Sequence, residues 1–230
     1  MLGILMLDSS PLDVPGCLAC DDTFAFPVKR RVVRGATVEK MTSCRAELEE
    51  PITEAAQDLE REGVDAIIGN CGFMALFQKV LQECVKVPVF TSSLLLVPLI
   101  ARSLPKGRRV GILTFRKDYL SEAVFRGAGW SSGEIPIAVA GVQDQSAWQC
   151  LRTPEHPFHG RELEEQLLSV GQEFLRAHRD LGALVLECTV MPPFAARLQA
   201  EMNLPVFDIT MIASLVAESF SRRPFQRRNT

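Results

Sequence analysis

The strongest constraint on this chain is an internal repeat. Displaced by 117 positions so that Cys71 lies on Cys188, Ala66-Ile67-Ile68-Gly69-Asn70-Cys71-Gly72-Phe73-Met74 falls on Ala183-Leu184-Val185-Leu186-Glu187-Cys188-Thr189-Val190-Met191. The match continues without a gap through Phe77 and Phe194, Leu81 and Leu198, and Pro88-Val89-Phe90 and Pro205-Val206-Phe207. Each copy reads as an apolar run, a turn, a helically spaced segment and a second short apolar run, so a strand, helix and strand unit occurs twice. Strands that are apolar throughout belong in parallel sheets covered on both faces. The predicted fold class is therefore α/β, with two pseudo-symmetric domains, each a mostly parallel four-stranded sheet with helices on both faces, and a cleft between them.

The opening strands also correspond, Val110-Gly111-Ile112-Leu113-Thr114 echoing Leu2-Gly3-Ile4-Leu5-Met6. In the first half the pattern predicts strands over Leu2 to Leu7, Arg31 to Arg34, Val64 to Gly69 and Pro88 to Phe90. Helices are expected over Arg45 to Glu62, Gly72 to Val85 and Ser92 to Ser103, with Ser43 a candidate cap and Pro51 a kink or restart. In the second half strands fall near Val110 to Leu113, Ile135 to Val139, Ala183 to Leu186 and Val206 to Phe207. Helices fall near Lys117 to Arg126, Arg161 to His178, Pro192 to Met202 and Ile209 to Ser221. The domains are expected to span 1–95 and 96–208, with the helix over 209–221 packing back on the first. The polar stretch Gln143 to Gly160 is a candidate lid or rim loop, and the tail Arg222 to Thr230, with four arginines, reads as a solvated end.

Composition narrows the function. Hydrophobic residues make up 47% and the net charge is −3, which gives each half a core and leaves no basic face for nucleic acid. No apolar run reaches the roughly 18 residues a membrane span requires. The amino terminus, Met-Leu-Gly-Ile-Leu-Met-Leu-Asp, has no basic lead or small-residue cleavage site, so a cytoplasmic protein is expected. Seven cysteines in a long chain do not form a secreted disulfide pattern, and free thiols are the natural reading.

Cys71 and Cys188 each sit where a strand gives way to a helix, at the carboxyl edge of a sheet, where open α/β sheets bind ligands. Buried cysteine is often an inert packing residue. A thiol in a helix's first turn, however, feels the positive end of the helix dipole, which favours thiolate. If the halves face each other, two thiols approach one pocket from opposite sides. A planar carbanion deprotonated on one face and reprotonated on the other is inverted, with no organic cofactor required. Backbone N–H groups after each cysteine are candidates to hold the carboxylate and the developing charge.

Asn70-Cys71-Gly72-Phe73 and Glu187-Cys188-Thr189 followed by Met191-Pro192-Pro193, together with the Gly3-Ile4 strand, Asp8-Ser9, Phe26-Pro27-Val28 and Gly35-Ala36-Thr37, resemble the aspartate/glutamate racemase superfamily. That superfamily also holds hydantoin racemases, arylmalonate decarboxylases and maleate isomerases. The resemblance implies a cleft between two similar domains and cofactor-independent racemisation of an amino acid or related small carboxylate by Cys71 and Cys188. By the same resemblance Asn70, Gly72, Thr189 and Thr114 lie near the substrate carboxylate, with Asp8, Ser9 and Ser10 at the mouth of the first strand. No cofactor and no metal are implied. The expected partner is a small carboxylate, with neither nucleic acid nor membrane, and a homo-oligomer is compatible.

Both cysteines favour racemisation over an arylmalonate-type decarboxylation, which resembles a one-cysteine variant; maleate cis-trans isomerisation also uses two. Glu187 is expected to point away from Cys188, because neighbours on a strand face opposite sides, and to bond behind the site. Phe24, Phe26, Phe73 and Met74 are candidates for an apolar pocket wall, and Arg45, Arg116 or Lys117 for recognition of a second carboxylate. The chain departs from the family pattern at Cys17-Leu18-Ala19-Cys20, a pair with no second cysteine pair beside it to complete a metal site.

Overall fold

In β1 (Leu2–Met6), every residue is buried, as an apolar run in the middle of a covered sheet must be. It is flanked by β2 (Val28–Val32) and β3 (Ala66–Gly69), and β4 (Val89–Phe90) completes a parallel sheet of order β2-β1-β3-β4. The second half builds the same sheet. Here β5 (Arg109–Thr114), β6 (Ile137–Gly141), β7 (Leu181–Leu186) and β8 (Val206–Phe207) are ordered β6-β5-β7-β8, all parallel. Even the register repeats: Ile67 pairs with Val89 and Leu184 with Val206, the same residues one repeat apart. The structure, a computed structural model, describes residues 1–9, 12–43, 45–151, 159–222 and 224, with only the backbone described at 42 and 45. Among these no helix is long and apolar enough to cross a membrane.

The connections follow the expected order with instructive shifts. β2 lies earlier than the expected Arg31 to Arg34 because Leu2 pairs with Val28; as an edge strand carrying Lys29, Arg30 and Arg31, it gives a weak apolar signal. A separate helix α1 (Val38–Ser43) precedes α2 (Arg45–Arg61). Ser43 belongs to α1 and donates to the Glu39 carbonyl at 2.6 Å. Pro51 neither breaks nor restarts α2, which runs through it. The segment expected as one helix from Gly72 opens with a tight 3₁₀ turn, Gly72–Phe77, and only then becomes α3 (Gln78–Cys84). All six residues of that turn are buried.

The segments after β4 and β8 exchange sides. After β4 a 3₁₀ turn (Ser93–Leu96) leads into α4 (Val97–Ser103). Ser93 Oγ donates to the Leu186 carbonyl at 2.7 Å, and Val97 and Ile100 pack in one core with Val110, Ile112, Ala183 and Val185 of the second sheet. Downstream of Leu104 come α5 (Glu122–Gly127), α6 (Gly160–Ala177) and α7 (Ala195–Met202). After β8, Asp208 accepts from the Thr210 N–H at 2.8 Å and caps α8 (Ile209–Phe220). Its Ile209, Ile212, Ala213 and Val216 pack against Leu2, Ile4, Ala66 and Ile68 of the first sheet. This reciprocal exchange holds the carboxyl edges of the two sheets toward a common space.

Candidate active site

That space is a cavity of about 170 Å³. Its floor is the pair of strand ends that the repeat predicts, Asn70 and Cys71 after β3 and Glu187 and Cys188 after β7, and both thiols line it. Cys71 is 7% exposed and Cys188 9%, so each sulfur meets the cavity and little else. The two motifs are also joined directly: the Thr189 hydroxyl donates to the Asn70 carbonyl.

The backbone N–H groups of Phe73 and Met74 beside Cys71, and of Val190 beside Cys188, each favour thiolate. They are outweighed. Burial, and after it the carboxyl of Glu187, push the Cys71 thiol up to about 12. Burial and then Glu187 also carry Cys188 well above the usual thiol range, with smaller contributions from Cys71 and Cys17. The helix-start argument thus has the right sign but the smaller magnitude, and both thiols are protonated at neutral pH. One of the backbone donors expected to hold a carboxylate, that of Met74, is taken by the Cys71 carbonyl at 2.9 Å instead.

Glu187 bonds behind the site, as expected, and yet is also among the lining residues and near enough to both thiols to act on them, just past the end of β7 at Leu186. Its N–H donates to the Leu113 carbonyl at 2.8 Å, and its Oε2 accepts from the Thr114 hydroxyl at 2.6 Å. Oε1 is buried with no hydrogen-bond partner. The residue is 1% exposed, and burial, partly offset by the Thr114 hydrogen bond, pushes its carboxyl up to about 7. Gly72 makes room for it: a Cβ there would come within 2.2 Å of Oε1. The signal was present in the repeat, which places Glu187 on Asn70.

The other expected residues divide. Asn70, Gly72, Thr189 and Ser9 line the cavity. Asn70 accepts from the Leu7 N–H at 2.8 Å, tying the ends of β1 and β3 together. Thr114 does not reach the cavity wall; it is fully buried behind Glu187. Asp8 is exposed and off the wall, its carboxylate accepting from the Gly35 N–H at 2.8 Å to hold the turn after β2. Ser10 lies outside the described residues, as do the side chain of Arg45 and most of the polar stretch after Leu151.

Phe73 lines the cavity, whereas Phe24 and Phe26 pack beside α8 and Met74 sits beneath Gly69. Arg116 pairs with Asp118 and lies 4.0 Å over the Tyr119 ring, and neither it nor Lys117 is on the wall. Wall residues not anticipated include Leu12, Cys17, Phe115 and Cys150. Cys17 arrives because its loop is seated on the second half, where Gly16 lies so close to Pro193 that a Cβ would meet its backbone nitrogen at 2.8 Å. Cys17 and Cys20 are both free and buried, and among the described residues no three His, Cys, Asp or Glu side chains are grouped to hold a metal.

A family model described as Asp/Glu/Hydantoin racemase matches residues 51–216, a span that contains both cysteine motifs and the second sheet entire. The chain belongs to the Asp/Glu/Hydantoin racemase family. Membership makes it one of a family of enzymes and confirms the likeness read from its paired motifs.

Among curated members, the chain is similar to a dimethylsulfoniopropionate lyase of Durusdinium sp. clade D, 28% identical over 229 residues, covering 97% of this chain and 76% of that protein. It is also similar to dimethylsulfoniopropionate lyase 3 of Emiliania huxleyi (strain CCMP1516), at 25% identity, covering 99% of this chain but 62% of that one. The chain therefore spans less than two thirds of the second relative's length. In fold it is similar to allantoin racemase from Klebsiella pneumoniae, with a TM-score of 0.63 at 17% identity, covering 95% and 88% of the two chains. An unliganded arylmalonate decarboxylase superposes with a TM-score of 0.59 at 12% identity, covering 100% and 96%.

Proposed function

We propose that this protein is a cofactor-independent carbon-acid enzyme that removes the proton next to the carboxylate of a small substrate and expels a leaving group from the adjacent carbon, as a dimethylsulfoniopropionate-type lyase. The observation that carries this reading is the cavity wall: two thiols and a carboxyl converge there, and no Lys or Arg is among the described lining residues. An aspartate or glutamate substrate brings a second carboxylate to a wall whose described residues already hold a carboxyl and two thiols. A monocarboxylate whose far end is cationic and methylated suits it better, and the similarity of nearly all of this chain to part of the dimethylsulfoniopropionate lyases supports the same class.

The chemistry balances without a cofactor. One cysteine, as thiolate, takes the proton from the carbon beside the carboxylate; the electron pair left behind forms the carbon–carbon double bond; the carbon–sulfur bond breaks with its electrons going to sulfur. The products are acrylate, neutral dimethyl sulfide and a protonated cysteine, which returns its proton to water. A thiol held near 12 is a strong base once ionised and a rare one before, so the substrate must help ionise it. A sulfonium beside the sulfurs supplies the opposite charge that does so. Ser9, Asn70 and Thr189 are the polar side chains available to the carboxylate.

The test is to incubate the protein with dimethylsulfoniopropionate and quantify dimethyl sulfide and acrylate in equal amounts. The presence of two thiols rather than one favours a second reading, inversion at the carbon next to the carboxylate. No sulfide release, together with deuterium incorporation and inversion of an amino acid or hydantoin in heavy water, replaces the first reading with the second.

A further inference from the structure

We infer that Glu187 is the anionic seat for an onium group, a sulfonium or quaternary ammonium bearing small alkyl groups, and that seating this cation displaces a proton from the site. The inference rests on the carbon-acid reading of the cavity and adds how its substrate is recognised. Glu187 is 1% exposed, lies on the cavity wall, and has one carboxyl oxygen satisfied by Thr114 and the other without a partner. A buried carboxylate with an open oxygen and no cation is costly, and such a group takes up a proton instead. Its raised affinity for a proton, near pH 7, is the expected consequence.

The surroundings fit a cation rather than a hydrogen-bond donor. Oε1 packs against Gly72, which has no side chain and no hydrogen-bond donor there to offer it. Phe73 and Phe115 stand on the same wall, and aromatic faces with a carboxylate are the usual recognition elements for alkylated onium ions. Also on this wall are Cys71, Cys188 and Cys17, whose sulfurs offer polarisable surface and no positive charge.

A cation here restores Glu187 to its ionised form and offsets the negative charge by which that carboxylate raises the thiols on either side. Repeat symmetry makes the point sharper: the equivalent position carries the neutral Asn70, already bonded to Leu7. The site is charged on one side only, which orients a substrate that has a cation at one end and a carboxylate at the other.

The probe is trimethylsulfonium, which has no carboxylate and cannot react. Calorimetric titration in buffers of different ionisation enthalpy counts the protons exchanged on binding. Near pH 6, where Glu187 holds its proton, close to one proton is released, and the release fades toward about pH 9. The neutral isostere tert-butanol releases none. Glu187→Gln abolishes the release and weakens trimethylsulfonium roughly tenfold or more, as expected for removing one member of a buried charge pair.

Thr114→Val, which keeps the carboxyl and deletes its partner, moves the midpoint of proton release to higher pH and serves as the second variant if Glu187→Gln does not fold. Failure of the wild-type protein to bind trimethylsulfonium, binding without proton release near pH 6, or a midpoint unmoved in Thr114→Val overturns the inference. Equal affinity in a folded Glu187→Gln does the same. Onium binding with proton release but no sulfide production sinks the lyase reading and leaves the seat intact; sulfide production with Glu187→Gln unaffected in KM does the reverse.

Discussion

The two cysteine motifs share a backbone and differ in everything around the sulfur. After β3, Cys71 lies between Asn70, whose side-chain oxygen is taken by Leu7, and Gly72, which has no side chain. After β7, Cys188 lies between Glu187, half satisfied by Thr114, and Thr189, which reaches across to the Asn70 carbonyl. The small residue on one side is what admits the acidic residue from the other. Duplication thus supplied two equivalent places for a thiol, and divergence of the neighbours made one side electrically unlike the other. A proton-transfer site for inversion gains from symmetry, whereas a site that must hold a carboxylate at one end and a cation at the other gains from its loss.

The comparison breaks most sharply at the thiols. On the elimination reading, serine at whichever cysteine is the base lowers kcat by about 10³-fold or more, a general-base contribution, while serine at the other costs far less. On the inversion reading both Cys71→Ser and Cys188→Ser abolish turnover. Steady-state kinetics of the two variants on dimethylsulfoniopropionate, with circular dichroism to verify folding, read the asymmetry directly; equal losses remove the distinction drawn between the motifs.

Next in size is the pH dependence of stability. Burial raises the Glu187 carboxyl from 4.5 to about 7. A group whose folded-state pKa is raised contributes stability that is complete below about 4.5 and lost as the pH climbs through about 7. The loss amounts to roughly 3 kcal/mol at alkaline pH, taken from the size of the shift. Glu187→Gln removes it, so denaturant unfolding gives the variant an advantage that is small near pH 4.5 and grows to a plateau above about 7. The same variant lowers the pH at which Cys71 is alkylated by iodoacetamide, because Glu187 follows burial as a cause of its raised pKa. A flat stability difference across that range excludes a buried, titrating Glu187.

Gly72→Ala probes the steric side of the exchange. Its Cβ has backbone and carboxyl atoms of Glu187 within 2.5 Å, so something must move, at a cost of about 1 to 3 kcal/mol. Thr189→Ala, at the matching position, loses one hydrogen bond between the halves and about 1 kcal/mol. Urea midpoints that reverse this order contradict the packing of Glu187 against Gly72.

How much of this was legible beforehand follows from what kind of signal each part carries. The sheets were readable because β1, β3, β5 and β7 are buried apolar runs, and the repeat fixed their correspondence. The edge strand β2 was displaced by its basic residues, and the 3₁₀ turn Gly72–Phe77 was invisible because its apolar spacing suits a helix as well. Cys71 and Cys188 were found as strand-end residues of a duplicated unit. Glu187 bonds behind the site as alternation predicts, but its nearness to both thiols, one residue past the end of β7, was not legible from the strand pattern. Thr114 and Asp8 sit at strand ends by sequence, yet one bonds behind the site and the other outside it. Sequence pattern locates a strand end within a residue or two, and a side chain's direction there turns on that last residue.

Asp8 gives the smallest expected effect and the cleanest control on this distinction. It follows the first strand of its sheet as Arg116 follows β5, and its carboxylate holds the Gly35 N–H rather than facing the cavity; Gly35 has φ of 72°, a turn that benefits from an anchored amide. Because the group is exposed, the hydrogen bond it accepts is largely replaceable by water. Asp8→Asn keeps an acceptor in place and is expected to change neither KM nor kcat by more than about twofold, with a stability change within about 0.5 kcal/mol. Ser9→Ala, one residue later and on the cavity wall, raises KM for the carboxylate substrate while Asp8→Asn leaves it alone. If Asp8→Asn has the larger effect on KM, the carboxylate end of the substrate lies further toward the first-strand mouth than the cavity wall defined by Ser9, Asn70 and Thr189 allows.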